Sequence, residues 1–196
     1  MKPTWYSEVL PLLVGGDTGA SGPVLRGRIL SLLHGAFAQK EGSFAVAFPP
    51  VSTVPPTSPL SGALRVFAST RDDLDWLAER LSPLPWFRDY ARLTYARQVP
   101  EDFDGPWACY RRFRVPSLAS DRRQGAERGA LRQRRMAEAE TSGAVYFILQ
   151  SATTRQRFSL IVQREETAPF SGDCCPNGYG FSVTTRPFSL PEVLWG

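Results

Sequence analysis

The chain has 196 residues, 42% of them hydrophobic, with 23 Lys and Arg against 19 Asp and Glu and a single histidine, a formal net charge of +4. That is enough chain for one good core or two small ones. No apolar run approaches the ~20 residues of a membrane-spanning helix, and Met1 to Val14 carries Glu8 and no basic leader region, so no membrane partner is expected. The cysteines are Cys109, Cys174 and Cys175, odd in number, two of them adjacent, with no Cys-x-x-Cys spacing. They exclude a structural zinc site and a disulfide framework, and a cytoplasmic protein is expected.

In chain order, an apolar stretch from Trp5 to Val14 is followed by Gly15-Gly16-Asp17 and then by a helix from about Pro23 to Gln39. Pro23 suits a first helical position, and Leu25, Ile29, Leu32, Leu33 and Ala36 share one face. Ser43 to Phe48 reads as a short strand stopped by Pro49-Pro50, and Val51 to Gly62, with Pro55, Pro56 and Pro59, as a loop. Leu64 to Ala68 alternates like a strand, and Thr70 is an N-cap for a helix that has Asp72 and Asp73 in its first turn and ends near Leu81. Tyr90 to Val99 reads as one further strand. Gly105-Pro106 marks a boundary, followed by a strand at Trp107 to Val115, an arginine-rich segment, and strands at Val145 to Gln150 and Gln156 to Gln163.

These elements make an α+β protein. Residues 1–105 follow the strand and helix order of a ferredoxin-like or RRM-like split βαβ domain, and residues 106–196 form a small β-sheet domain that carries an arginine-rich helix at about 118–139. The first half has no aromatic signature of the kind that stacks bases on an RRM sheet.

Between Arg111 and Arg135, nine arginines face only Asp121 and Glu127, a local net of +7, so the rest of the chain sums to −3. Such a cluster suits a polyanion, and the commonest long, regular one is a nucleic-acid backbone. Gly125 and Gly129 each cost a helix about 1 kcal/mol relative to Ala, and the expected apolar stripe is only Ala126, Ala130 and Ala137 beside Leu131. A helix so polar is marginal by itself and is completed by docked phosphates. Arg128, Arg132 and Arg135 lie at i, i+4 and i+7 on one face, flanked by Arg122, Arg123 and Arg134.

His34 is the sole histidine and sits roughly 120° around the helical wheel from the centre of its helix's apolar face, hence accessible. With an RNA substrate, which brings its own 2′-OH nucleophile, a single general base suffices. Ser151-Ala152-Thr153-Thr154 joins two predicted strands; its hydroxyls suit either a ribose-phosphate contact or hairpin turn chemistry. Tyr179 lies in a Gly-rich turn and suits either stacking or packing. The acids form no paired-carboxylate group of the kind a two-metal nuclease needs.

Seven stretches follow one another in a familiar order. They are Leu32-Leu33-His34-Gly35, Phe44-Ala45-Val46-Ala47-Phe48-Pro49, Leu64 to Ser69 followed by Asp72-Asp73-Leu74, Tyr110 to Val115, the arginine helix, Ser151 to Phe158, and Tyr179-Gly180-Phe181-Ser182. Over nearly its whole length the chain resembles the CRISPR repeat-RNA endoribonucleases of type I-F systems, members of the RAMP superfamily. The resemblance implies a prokaryotic, cytoplasmic, metal-independent enzyme with no cofactor, active in antiviral defence. Such an enzyme binds the stem-loop of the repeat transcript, cuts at the 3′ base of the stem, and stays on the crRNA 3′ hairpin beside the other Cascade subunits, the adjacent backbone protein among them.

In that scheme His34 is the base for the 2′-OH, which leaves a 2′,3′-cyclic phosphate and a 5′-OH. Ser151 positions the nucleotide upstream of the cut, Tyr179 orients the histidine, and Thr153 or Thr154 contacts the same backbone. RNA contacts fall to Arg111, Arg112, Arg114, Arg122, Arg123, Arg128, Arg132, Arg134, Arg135 and Arg155. Arg114 fits a linker arginine that reads base pairs low in the stem, whereas Pro116 stands where the family keeps a glutamine and has no side-chain donor. The general acid is left open between water and an arginine. The alternatives are a non-catalytic RAMP-type subunit that holds a guide-RNA hairpin in a divergent or transposon-associated effector, and an RNA-binding protein outside CRISPR systems.

Overall fold

The computed structural model describes residues 1–12, 22–49, 62–116, 126–151 and 153–194, without the side chains of 126–128. The expected turn at Gly15-Gly16-Asp17, the loop at 51–61, Arg122, Arg123 and the side chain of Arg128 lie outside the described residues. The architecture is α+β, with two sheets of antiparallel strands.

The first sheet is built from β1 (Trp5–Pro11), β2 (Ala45–Ala47), β3 (Leu64–Ala68), β4 (Ala91–Leu93) and β5 (Arg97–Gln98). Its order is β2-β3-β1-β4, with β5 also on β1. Thus β3 lies between β1 and β2 and runs antiparallel to both. Helix α1 (Gly22–Phe37) buries Ile29, Leu30, Leu33, Ala36 and Phe37. Helix α2 (Arg71–Leu81) starts where Thr70 Oγ1 accepts from the Asp73 amide at 3.2 Å, and it buries Leu74, Leu77 and Leu81.

One expectation fails at Tyr90 to Val99. Tyr90 ends a short helix, α3 (Pro85–Tyr90), entered through Pro85 at its first turn, and the single strand is broken into β4 and β5. The register shows why: Val9 faces Leu93 while Tyr6 faces Arg97, so three steps along β1 span four on its partner. The extra residue is a bulge. The Glu8 amide donates to Thr94 Oγ1 at 2.8 Å and the Thr94 amide to the Glu8 carbonyl at 2.8 Å, which throws Tyr95 outward to 93% exposure.

One face of this sheet is closed by an ion pair. Glu8 and Arg65, opposite each other on β1 and β3, are fully buried and bonded to one another. Arg65 also donates to the carbonyls of Val193 at 2.6 Å and Leu194 at 3.1 Å, and its guanidinium lies 4.5 Å from the Tyr6 ring centroid. The C-terminal segment is therefore tied across the sheet.

The second sheet runs β7-β8-β6-β9, from β6 (Trp107–Phe113), β7 (Val145–Gln150), β8 (Arg157–Thr167) and β9 (Leu190–Pro191). Gly105-Pro106 directly precedes β6. Apolar residues of both halves, among them Leu33, Phe67, Tyr110, Phe147 and Phe181, belong to one buried cluster. α1 lies directly on β7: a Cβ at Gly27 would overlap the carbonyl oxygen of Ile148, so only glycine permits that approach.

The arginine helix is α4 (Ala126–Thr141) among the described residues, extending past the expected end at 139. Its buried face differs from the expected alanine stripe. Ala130 and Ala137 are exposed, while Arg132, Arg135 and Met136 are half-buried and Ala139 is fully buried against Phe113, Ala144 and Ile161. Arginine stems supply apolar cover that a hydrophobicity pattern misses; the Arg135 guanidinium sits 4.9 Å from the centre of the Phe113 ring.

Candidate active site and nucleic-acid interface

His34 occupies the last turn of α1 and is half-buried. Its ring stacks on Tyr179, centroids 4.3 Å apart and planes 17° from parallel, and its Nδ1 is 2.6 Å from the carbonyl oxygen of Gly178. A carbonyl only accepts, so Nδ1 carries the proton and donates; in the neutral ring, Nε2 then holds the basic lone pair. The hydrogen bond fixes the tautomer and the stack fixes the ring plane.

The loop that supplies both contacts is rigidly built. Asn177 Oδ1 accepts from the amides of Tyr179 at 2.9 Å and Phe181 at 3.2 Å. The Gly180 carbonyl accepts from the Val46 amide at 2.8 Å, which pins the loop to β2. Gly180 has φ +84° and no room for a side chain, since a Cβ would lie 2.6 Å from Val46 Cγ2. At Gly178 a Cβ would come within 3.2 Å of His34 Cε1, so the bare backbone there lets the imidazole close on its carbonyl.

Ser151 caps the turn between β7 and β8. Its Oγ accepts from the Thr154 amide at 3.1 Å, its carbonyl accepts from the Arg155 amide at 3.0 Å, and Arg155 adopts φ +58°. The turn-chemistry reading of the hydroxyl is thus realised, yet that bond uses only a lone pair and leaves the hydroxyl proton to donate. Ser151, Arg155 and Arg157 share a cleft of about 370 Å³ with Arg28 and Ser31 of α1. Ser31 is one turn before His34, about 4.5 Å along the helix axis. His34 and Tyr179 are therefore in contact, and Ser151 shares its cleft with the preceding turn of α1. Thr153, Thr154 and Arg155 are all exposed on the turn.

The arginines differ in their surroundings. Arg112, Arg114, Arg132 and Arg157 line a groove of about 720 Å³ between α4 and the second sheet, together with Pro116, Tyr146 and Phe158. Burial, with Glu140 adding to it, pushes the Tyr146 phenol above its ordinary value. Arg111 and Arg135 form ion pairs, Arg111 with Glu165 at 2.6 Å and Arg135 with Glu138 at 3.2 Å. Arg134 is exposed. Arg157 lines both the groove and the Ser151 cleft and so connects them.

Sequence reading missed Arg28, Ser31, Arg157 and Asn177. Arg157 had a signal, as a basic residue two places after Arg155 at the start of an expected strand; the others become visible only when α1 lies on β7 and the 177–181 loop on β2. Among the described residues no three His, Cys, Asp or Glu side chains gather as a metal-holding group, and no helix is long and apolar enough to cross a membrane.

Comparison with protein-family models matches residues 13–191 to the family described as CRISPR-associated protein (Cas_Csy4). No curated protein matches the chain. Among solved structures, one named "Putative Chlorite dismutase TA0507" aligns over 82% of this chain and 79% of its own, at 14% identity and a TM-score of 0.31. That likeness is too slight to bear on fold or function.

Proposed function

The chain belongs to the Cas_Csy4 family of CRISPR-associated proteins, and from that premise we propose that it processes CRISPR repeat RNA as a metal-independent endoribonuclease that cuts at the 3′ base of the repeat stem-loop. The observation that carries the proposal is the imidazole of His34, held by the Gly178 carbonyl at Nδ1 and by the Tyr179 ring on its face. That geometry leaves Nε2 as the base.

In the proposed reaction Nε2 takes the proton of the 2′-OH, the 2′-oxygen bonds to the adjacent phosphorus, and the bond from phosphorus to the 5′-oxygen breaks. The products are a 2′,3′-cyclic phosphate and a 5′-OH, the leaving oxygen being protonated by water or through an arginine. Ser151 donates its hydroxyl proton to the backbone upstream of the cut, with Thr153, Thr154 and Arg155 beside it. Arg112, Arg114, Arg132 and Arg157 hold the stem in the groove, extended by Arg111, Arg122, Arg123, Arg128, Arg134 and Arg135. Pro116 beside Arg114 offers no side-chain donor, so base readout at that position differs from the family's glutamine.

Within this reading the first sheet with α1 and α2 is a ferredoxin-like domain over 1–105. Residues 106–196 form the hairpin-binding domain, which keeps the product hairpin as a subunit of a Cascade-type complex.

The test uses the repeat hairpin encoded beside the protein's own gene. His34→Ala is expected to bind the hairpin as the parent does and to lose cleavage by about 10²-fold or more. A 2′-deoxy nucleotide at the cut site should stop the reaction, and EDTA should not. Normal cutting by His34→Ala, or a requirement for Mg²⁺, overturns the mechanism; tight binding without product by the parent protein assigns it instead to the non-catalytic class.

A further inference from the structure

The peptide group between Gly178 and Tyr179 is held from both sides. Its carbonyl oxygen accepts from His34 Nδ1 at 2.6 Å, and its N–H donates to Asn177 Oδ1 at 2.9 Å. The peptide is trans, so these two groups point in opposite directions within one rigid plane. Asn177 and His34 therefore grip the same plane from opposite edges. The partners of the Asn177 side chain, the amides of Tyr179 and Phe181, are both donors, which makes the atom facing them the amide oxygen. The main chain of Asn177 is fixed as well: its N–H donates to the Phe181 carbonyl at 2.9 Å, and its carbonyl accepts from the Gly180 amide at 2.8 Å.

The plane needs this grip because of Gly178. A side chain there would crowd the imidazole, with Cβ 3.2 Å from His34 Cε1, but glycine leaves the plane free to turn about its flanking bonds. Once turned, the carbonyl no longer meets Nδ1, and either ring nitrogen can carry the proton. The bond from the Tyr179 amide to Asn177 opposes that rotation. It also polarises the peptide, since hydrogen bonds in a chain strengthen one another, and so makes the Gly178 oxygen a better acceptor for Nδ1–H.

We propose that Asn177 is a positioning residue for His34 and acts through the Gly178–Tyr179 peptide, which takes the orienting place that a carboxylate holds in a Ser-His-Asp triad. Its effect on rate rests on the proposed function. Its effect on the tautomer does not, because that belongs to the protein without RNA.

The experiment compares the full-length parent with Asn177→Leu, close in size but without an acceptor, and Asn177→Asp, which keeps one. His34 is the only histidine, so a nitrogen NMR spectrum of the imidazole reads it alone. At alkaline pH the parent should show Nδ1 protonated and Nε2 bare. In Asn177→Leu the two resonances should move toward each other as the tautomers exchange, and in Asn177→Asp the parent pattern should persist. In single-turnover cleavage of the repeat hairpin, Asn177→Leu should be slower by about tenfold, the worth of one hydrogen bond, with hairpin affinity unchanged. Asn177→Asp should stay near the parent rate.

A parent spectrum and rate in Asn177→Leu overturn the assignment, and so do equal losses in the Leu and Asp variants. If Asn177→Leu no longer binds the hairpin, Asn177 supports the fold rather than the imidazole, and the assignment again falls. If the parent itself cuts no repeat hairpin, the proposed function fails, while the spectra still decide whether Asn177 sets the tautomer.

Discussion

The chemistry of His34 is set by a main-chain oxygen 144 residues away. Imidazole can present either nitrogen, and the Gly178 carbonyl selects the tautomer with Nε2 basic. The Tyr179 ring is stacked on the imidazole, and in the proposed reaction it contributes by position. An aromatic pair is worth about 0.5–1.5 kcal/mol beyond its area, so Tyr179→Ala should slow cleavage by about 2- to 12-fold. Tyr179→Phe, which keeps the stacked face, should stay near the parent rate; single-turnover kinetics on the repeat hairpin would read the difference. An equal loss in both variants would mean that the phenol hydroxyl itself takes part. The sole histidine and its helical position were legible in the sequence. Its carbonyl partner was not, because a backbone oxygen carries no residue-type signal.

Among the elements, α1 matters most, since it carries His34, Ser31 and Arg28 and is brought against β7 by Gly27. Gly27→Ala places a methyl group where the Ile148 carbonyl stands. Overpacking of this kind costs about 1–3 kcal/mol, and with backbone as the obstacle the upper end is expected, together with slower cleavage as α1 lifts from the Ser151 turn. Denaturant melts of the variant beside hairpin cleavage would show both, and an unchanged midpoint would contradict the close approach.

A pH dependence is expected at the start of helix α2. Burial by itself would raise the Asp73 carboxyl, but its bonds from Lys40, at 2.7 Å, and from Thr70 prevail and hold it below the usual range. A carboxyl lowered in the fold stabilises above its unfolded value near pH 4 and loses that contribution as pH falls through the folded value. Lys40→Ala should therefore lower the Tm at neutral pH and flatten its acid-side decline, as a Tm series against pH would show. The helix itself was legible, because its cap and first-turn acids are local. The bulge at Thr94 was not, since it depends on Glu8 lying opposite.

Over the whole molecule, the charge that dominates the sequence is not spent uniformly. Arg112 and Arg114 line the groove, whereas Arg111 is paired to Glu165. Each phosphate contact removed should reduce the salt slope of RNA binding by about 1. Arg112→Ala and Arg114→Ala are expected to show that reduction and Arg111→Ala a smaller one, measured by titrating hairpin binding across salt concentrations. Equal reductions at all three positions would mean that RNA displaces Glu165.

The sequence by itself determined the α+β class, the capping of α2, the basic segment and, through the resemblance, the family. All of these are written in short-range periodicity, in residue type or in ordered motifs. Only the tertiary structure decided that Nδ1 of His34 meets Gly178, that α4 turns Arg135 toward Phe113, and that Arg157 joins cleft to groove. Those pairings depend on strand register and on how closely helices approach the sheets, and packing sets both between residues distant along the chain.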